Sequence, residues 1–116
     1  MTADAAQRFV ARLKADLTVA MRRGNAAEVA LLRQLIAAID NAQAVAVGDR
    51  HATYVVHAFG DSSVEVPRRS LDDAALRRLI EDEIHARRDA AATYRQLGQD
   101  TQAQALEEAM TLLRRY

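Results

Sequence analysis

The chain has 116 residues, a formal net charge of 0 and no cysteine. This length suits one domain with one hydrophobic core. The absence of cysteine excludes disulfide bonds, a cysteine-ligated metal site and a thiol nucleophile. Because the net charge is 0, no overall field draws the chain toward nucleic acid or an anionic membrane.

Hydrophobic residues make up 50% of the chain, aromatic residues only 4%, and proline occurs once. This composition favours helices over a β-sandwich or barrel. No apolar run reaches the roughly 18 residues that a membrane span needs. The first residues lack the apolar stretch of a signal peptide, so we expect a cytoplasmic protein that does not bind membranes.

The first half predicts two helices, over about 2–23 and 25–44. Thr2 or Asp4 can cap the first helix, and Gly24 stands where a glycine would end it. Asn25 is a good cap for the second helix, and the turn between the helices is therefore very short. Apolar residues follow helical spacing in both segments: Phe9, Leu13, Leu17 and Met21 in the first, and Val29, Leu32, Leu35, Ile36 and Ile39 in the second.

The second half predicts helices over about 70–97 and 100–116. Ser70 is a candidate cap with Asp73 in the first turn, and Gly98 marks the break between the helices. The intervening segment 45–69 loses helical spacing and contains β-forming residues, so a β-like hairpin and an irregular insert both remain open. The predicted fold is all-α, with two antiparallel helical hairpins forming a small four-helix domain and the insert between helices 2 and 3.

Glu83 and Arg87 are the first candidates for chemistry, because they fall within the apolar arc of the third helix. They are spaced i,i+4 with the acid first, which favours an ion pair. One interpretation is a charged pair facing a groove, with Arg87 offered to an anion such as phosphate. The other is a structural ion pair at the edge of the apolar stripe.

Arginines provide the second candidate site. Arg22 and Arg23 end the first helix near the start of the second, where Arg33 could extend the same surface. Such a patch could hold RNA phosphates. The alternative is an ordinary solvated face of mixed charge, since acidic residues on the third helix balance its arginines and aromatic residues for stacking on bases are scarce.

Histidine and nucleophile chemistry have little support. His85 shares a helix face with Glu81 and Asp89 at i,i+4 spacing, which suits a metal but more often reflects surface pairs. No strained nucleophile motif or glycine-rich phosphate loop is present. We therefore predict no metal site, no cofactor and no intrinsic catalytic centre.

Several segments together resemble the GatB/YqeY-like family over about three-quarters of the chain. They are Leu13 to Leu17, Ala20-Met21, Leu32 to Ile39, Asn41-Ala42, Glu83-Ile84, Arg87-Arg88-Asp89, Tyr94, Gly98, Glu107-Glu108, Leu112-Leu113 and Tyr116. The resemblance is to the N-terminal helical domain. We expect the family's smaller tail domain to be absent, either because the chain is truncated or because it is a natural short paralogue. The sequence departs from the family in its longer segment 51–69, and in Gly98-Gln99-Asp100, which lacks a basic group that many relatives have.

The resemblance implies a non-catalytic module associated with tRNA, with a tRNA-dependent amidotransferase, which uses glutamine as amide donor, or with an aminoacyl-tRNA synthetase. The matching charged positions are Arg33, Glu83, Arg87 and Arg88. The resulting RNA-contact hypothesis comprises Arg22, Arg23, Arg33, Arg87 and Arg88. The alternative function is a helical protein–protein interaction module, or a homodimer, that does not bind nucleic acid.

Overall fold

The computed structural model describes residues 4–48 and 70–116. These residues form four α-helices: α1 (Ala5–Arg23), α2 (Ala26–Gly48), α3 (Asp73–Gln96) and α4 (Asp100–Leu113). No strand occurs within these two ranges. The predicted all-α fold of two helical hairpins is confirmed. The strand candidates within 52–66 lie outside the described residues.

The turn between α1 and α2 forms as its residue types require. Gly24 adopts φ +68°, a left-handed conformation that favours glycine, and its amide donates to the carbonyl of Met21 at 3.1 Å. The side chain of Asn25 then accepts from the amide of Glu28 at 3.1 Å, capping α2. The predicted short turn is confirmed, and it sets α1 antiparallel to α2.

The start of α3 differs from the prediction. The cap is Asp72 rather than Ser70, because the Asp72 carboxylate accepts from the amide of Ala75 at 2.8 Å. Leu71 and Leu76, which flank this cap as a hydrophobic staple, are both buried at 5% exposure. Burying Leu71 fixes the entry of the chain into α3, so the helix begins at Asp73.

Two helix ends also differ from the prediction. α2 continues to Gly48, four residues past the expected end at 44, since the alanine and valine residues there contain no stop signal. The first residues of the predicted insert 45–69 are therefore helical. α4 ends at Leu113 rather than at Tyr116, because the last residues turn so that Tyr116 contacts α1, as described below.

The two hairpins share one apolar core. Leu13 of α1, Leu35 of α2 and Leu113 of α4 are each at most 1% exposed, and Ile80 of α3 is 6% exposed. All four belong to a single cluster of packed side chains. Each helix has one apolar face, and most of the stability of such a helix comes from packing that face against other elements. Packing the hairpins against each other therefore supplies most of the stability.

Two residues that the spacing placed on apolar stripes are exposed. Met21 is 55% exposed and Leu97 is 65% exposed. Both lie at the hairpin turns, where the helices run out of neighbours. Next to its turn, the α3–α4 hairpin packs through small residues, with Ala91 and Ala103 buried. Within the described ranges, no helix has the length and apolarity that crossing a membrane requires.

We predict that Leu35→Ala lowers the free energy of unfolding by about 2–5 kcal/mol, because it removes a fully buried side chain and leaves a cavity. Leu97→Ala makes the same chemical change at an exposed position and should alter stability by less than about 0.5 kcal/mol. Urea denaturation followed by circular dichroism measures both values. Equal losses from the two variants would contradict this assignment of the core.

Candidate functional site

A groove with a volume of about 560 Å³ lies between α2 and α4. Leu31, Leu106 and Leu112 provide its apolar surface together with Ala109. The polar groups around it are few: Asn25, Gln34, Arg87, Glu108 and Thr111. We refer to this feature as the α2–α4 groove. Its size and mostly apolar lining are typical of ligand-binding pockets.

Arg87 of α3 reaches this groove with a side chain that is only 14% exposed. Its Nη1 donates to the carbonyl oxygen of Glu83 at 3.1 Å and lies 3.7 Å from the Glu83 carboxylate. Its Nη2 donates to Oε1 of Gln34 at 3.0 Å. The structure thus brings Glu83 and Arg87 together, and it extends the pair to α2 through Gln34, a partner that sequence reasoning missed.

Three of the arginines in the RNA-contact hypothesis lie around the α1–α2 turn. Arg22 and Arg23 are exposed in the last turn of α1, and Arg33 is exposed on α2. Arg33 lines a shallow cavity of about 430 Å³ with Met21 and Gly24. None of the three arginines forms a hydrogen bond or ion pair with another described residue. We refer to these three residues as the turn arginines.

The other two candidates are placed differently. Arg87 is held by Glu83 and Gln34, and Arg88 lies on the exposed side of α3 with its Nη1 3.4 Å from Nδ1 of His85. Of the five arginines, the turn arginines and Arg88 are thus exposed, whereas Arg87 is largely buried and bonded within the protein. No group of three or more His, Asp or Glu side chains with metal-binding geometry occurs in residues 4–48 and 70–116. The other two histidines of the chain, His51 and His57, lie outside these ranges.

The end of the chain makes a polar cluster that sequence reasoning did not anticipate. The Tyr116 hydroxyl donates to the carboxylate of Asp16. The Tyr116 ring packs edge-on against Phe9 at 5.8 Å and beneath the guanidinium of Arg12 at 4.7 Å. These contacts hold the end of α4 on α1. Helical spacing carries no signal for them, since the partners are about a hundred residues apart.

Arg115 ties the same end of the chain to α2. Its Nη2 lies 2.6 Å from the carboxylate of Glu28, which is only 12% exposed. The other carboxylate oxygen of Glu28 accepts from the Asn25 side chain at 3.2 Å. The hydrogen bond to Glu28 raises the pKa of Arg115 above its ordinary value. Glu28 is thus occupied on both oxygens, although it stands in the first turn of α2, close in sequence to the turn arginines.

Burial, followed by the hydrogen bond to Asp16, raises the pKa of Tyr116 from 10.0 to about 12. A folded-state pKa above the unfolded value means that the neutral phenol stabilises the fold. That contribution is fully present below about pH 10 and is lost as the pH rises through about 12. Above that pH a phenolate would face the Asp16 carboxylate.

Comparison with known proteins identifies no relative. The chain matches no protein-family model, no curated protein and no solved structure.

We predict that the phenolate absorbance of Tyr116 appears with a midpoint near pH 12 in the folded protein. The chain has three tyrosines, so the curve for Tyr116 is the difference between the titrations of the original chain and Tyr116→Phe. In denaturant the midpoint of this difference should fall to about 10, the ordinary value. A midpoint near 10 in the folded protein would contradict the contact with Asp16.

Proposed function

We propose that the protein is a non-catalytic helical module of the GatB/YqeY type that associates with tRNA. The observation that carries the proposal is the group of turn arginines, which are exposed at one end of the first hairpin and have no partner among the described residues. The resemblance of both hairpins to that family supports tRNA as the RNA involved. Contact with an amidotransferase or a synthetase that handles the same tRNA belongs to this proposal.

The electrostatics of the turn support phosphate binding. A guanidinium binds phosphate best when no carboxylate competes for its donors. Glu28 is the acidic residue nearest to the turn in sequence, and its carboxylate is already held by Arg115 and Asn25. The positive charge of the turn arginines is therefore left available to an anion. The balance of charge at the turn matters because the chain as a whole has a net charge of 0 and does not itself attract an anion.

Arg87 and Arg88 contribute less to phosphate binding than the turn arginines do. The guanidinium of Arg87 is largely buried and bonded within the protein. Arg88 is exposed, but it lies on α3, outside the group at the turn. The phosphate contacts are therefore assigned to the turn arginines, with Arg88 as an outlying contact.

We predict that tRNA binding weakens steeply with salt. Three phosphate contacts give a slope of about −2 to −3 in a plot of log affinity against log salt concentration, so a fourfold rise in salt lowers the affinity about 16- to 64-fold. Fluorescence anisotropy with labelled bulk tRNA at a series of salt concentrations measures this slope. Affinity at low salt no tighter than that of an acidic control protein would end the proposal.

Arg33→Glu should weaken tRNA binding and make the salt slope shallower by about one unit, because it removes one phosphate contact. Arg77→Glu is the matched control, since Arg77 is also exposed and has no partner among the described residues but lies on α3. Both variants change the net charge equally. Equal losses of affinity would show that net charge, and not the turn, governs binding.

A further inference from the structure

The α2–α4 groove contains a feature that the proposed tRNA contact does not use. Arg87 lies in an apolar concavity of about 560 Å³, away from bulk solvent on most of its surface. We propose that this groove binds a small organic acid, with its carboxylate on Arg87 and its apolar body over Leu31, Leu106 and Leu112. The proposal does not depend on RNA binding.

The hydrogen bonds of Arg87 leave part of its guanidinium available. A guanidinium has five N–H donors in a planar fork. One N–H of Nη1 is used by the Glu83 carbonyl, and one N–H of Nη2 by Gln34. The Glu83 carboxylate lies 3.7 Å from Nη1 and none of the described contacts involves Nε. The Nε–Nη2 edge of the fork therefore retains donors for an incoming acceptor.

A carboxylate fits this edge better than a phosphate does. Two oxygens of a carboxylate match two adjacent guanidinium donors in a bidentate pair. A phosphate monoester would bring a second negative charge close to Glu83, and also to Glu108, which lines the groove. Like charges in a partly desolvated site are costly. Because Arg87 already lies beside Glu83, it can accept a ligand with one negative charge but not one with two.

The rest of the groove fits an apolar body. Alanine side chains at positions 27, 30, 105 and 109 leave room above Leu31 and Leu112. Each methylene that leaves water contributes about 0.8 kcal/mol. An aliphatic chain of several carbons gains enough from this surface to offset part of the cost of its immobilisation. Arg87 and the apolar surface of the groove thus recognise different parts of the same ligand.

The test titrates the whole chain with octanoate, octanol or acetate and measures binding by the chemical shifts of the backbone amides in NMR spectra. Octanoate should give saturable shifts at Leu31 and Leu112. Octanol lacks the charge and acetate lacks the apolar body, so each should bind at least about tenfold more weakly. Absence of saturable shifts with octanoate, or equal affinity for octanol, would overturn the proposal.

Two variants separate binding from folding. Arg87→Gln should reduce octanoate affinity about tenfold or more and leave octanol affinity unchanged. Ala105→Phe fills the groove from an exposed position of α4 and should abolish octanoate binding in a folded protein, as judged by its circular dichroism. Gln102→Phe is its control, on the same helix but outside the groove. Unchanged octanoate affinity in Ala105→Phe would overturn the placement.

Discussion

Burial of leucine and isoleucine side chains between the two hairpins is the constraint on which the rest of the structure depends. The cluster takes members from all four helices, so neither hairpin completes its core alone. The connection within each hairpin is only a few residues long, whereas the hairpins are held to each other by side-chain packing. The α2–α4 groove lies where that packing brings one helix of each hairpin side by side.

The end of the chain adds a second, polar attachment between the hairpins. Tyr116 bonds to Asp16 of α1, and Arg115 bonds to Glu28 of α2. Exposed ion pairs contribute little to stability, but Glu28 is mostly buried and the Tyr116 ring packs on Phe9. These contacts fix the last turn of α4 against the first hairpin. Arg115 thereby also occupies Glu28, the acidic residue nearest in sequence to the α1–α2 turn.

The sequence predicted the helices well because their signals are local. The Asn25 cap, the left-handed Gly24 and the break at Gly98 each depend on neighbours within one turn. Two of the errors arose where distant residues decided the outcome. Leu71 is buried by tertiary packing and so moved the start of α3, and Tyr116 ended α4 by contacting α1.

In the candidate site, too, the sequence predicted the local contact but not the contacts between helices. The i,i+4 spacing of Glu83 and Arg87 was sufficient to predict their pairing, which the structure contains. Their link to Gln34 required knowing how α3 packs on α2, and the spacing within one helix carries no such information. Similarly, the sequence grouped five arginines by their charge and by the family resemblance. Only the packing of the helices distinguishes the exposed arginines at the turn from Arg87, which lies in the groove.

Native-state hydrogen exchange tests the central claim most directly, since it reports the free energy at which each helix opens. If the shared core holds the hairpins together, amides near Leu35 in α2 and near Ile80 in α3 will exchange with the same opening free energy, equal to that of global unfolding. A markedly lower opening free energy in one hairpin, while the other stays protected, would contradict the account, because it would show that one hairpin remains folded without its neighbour.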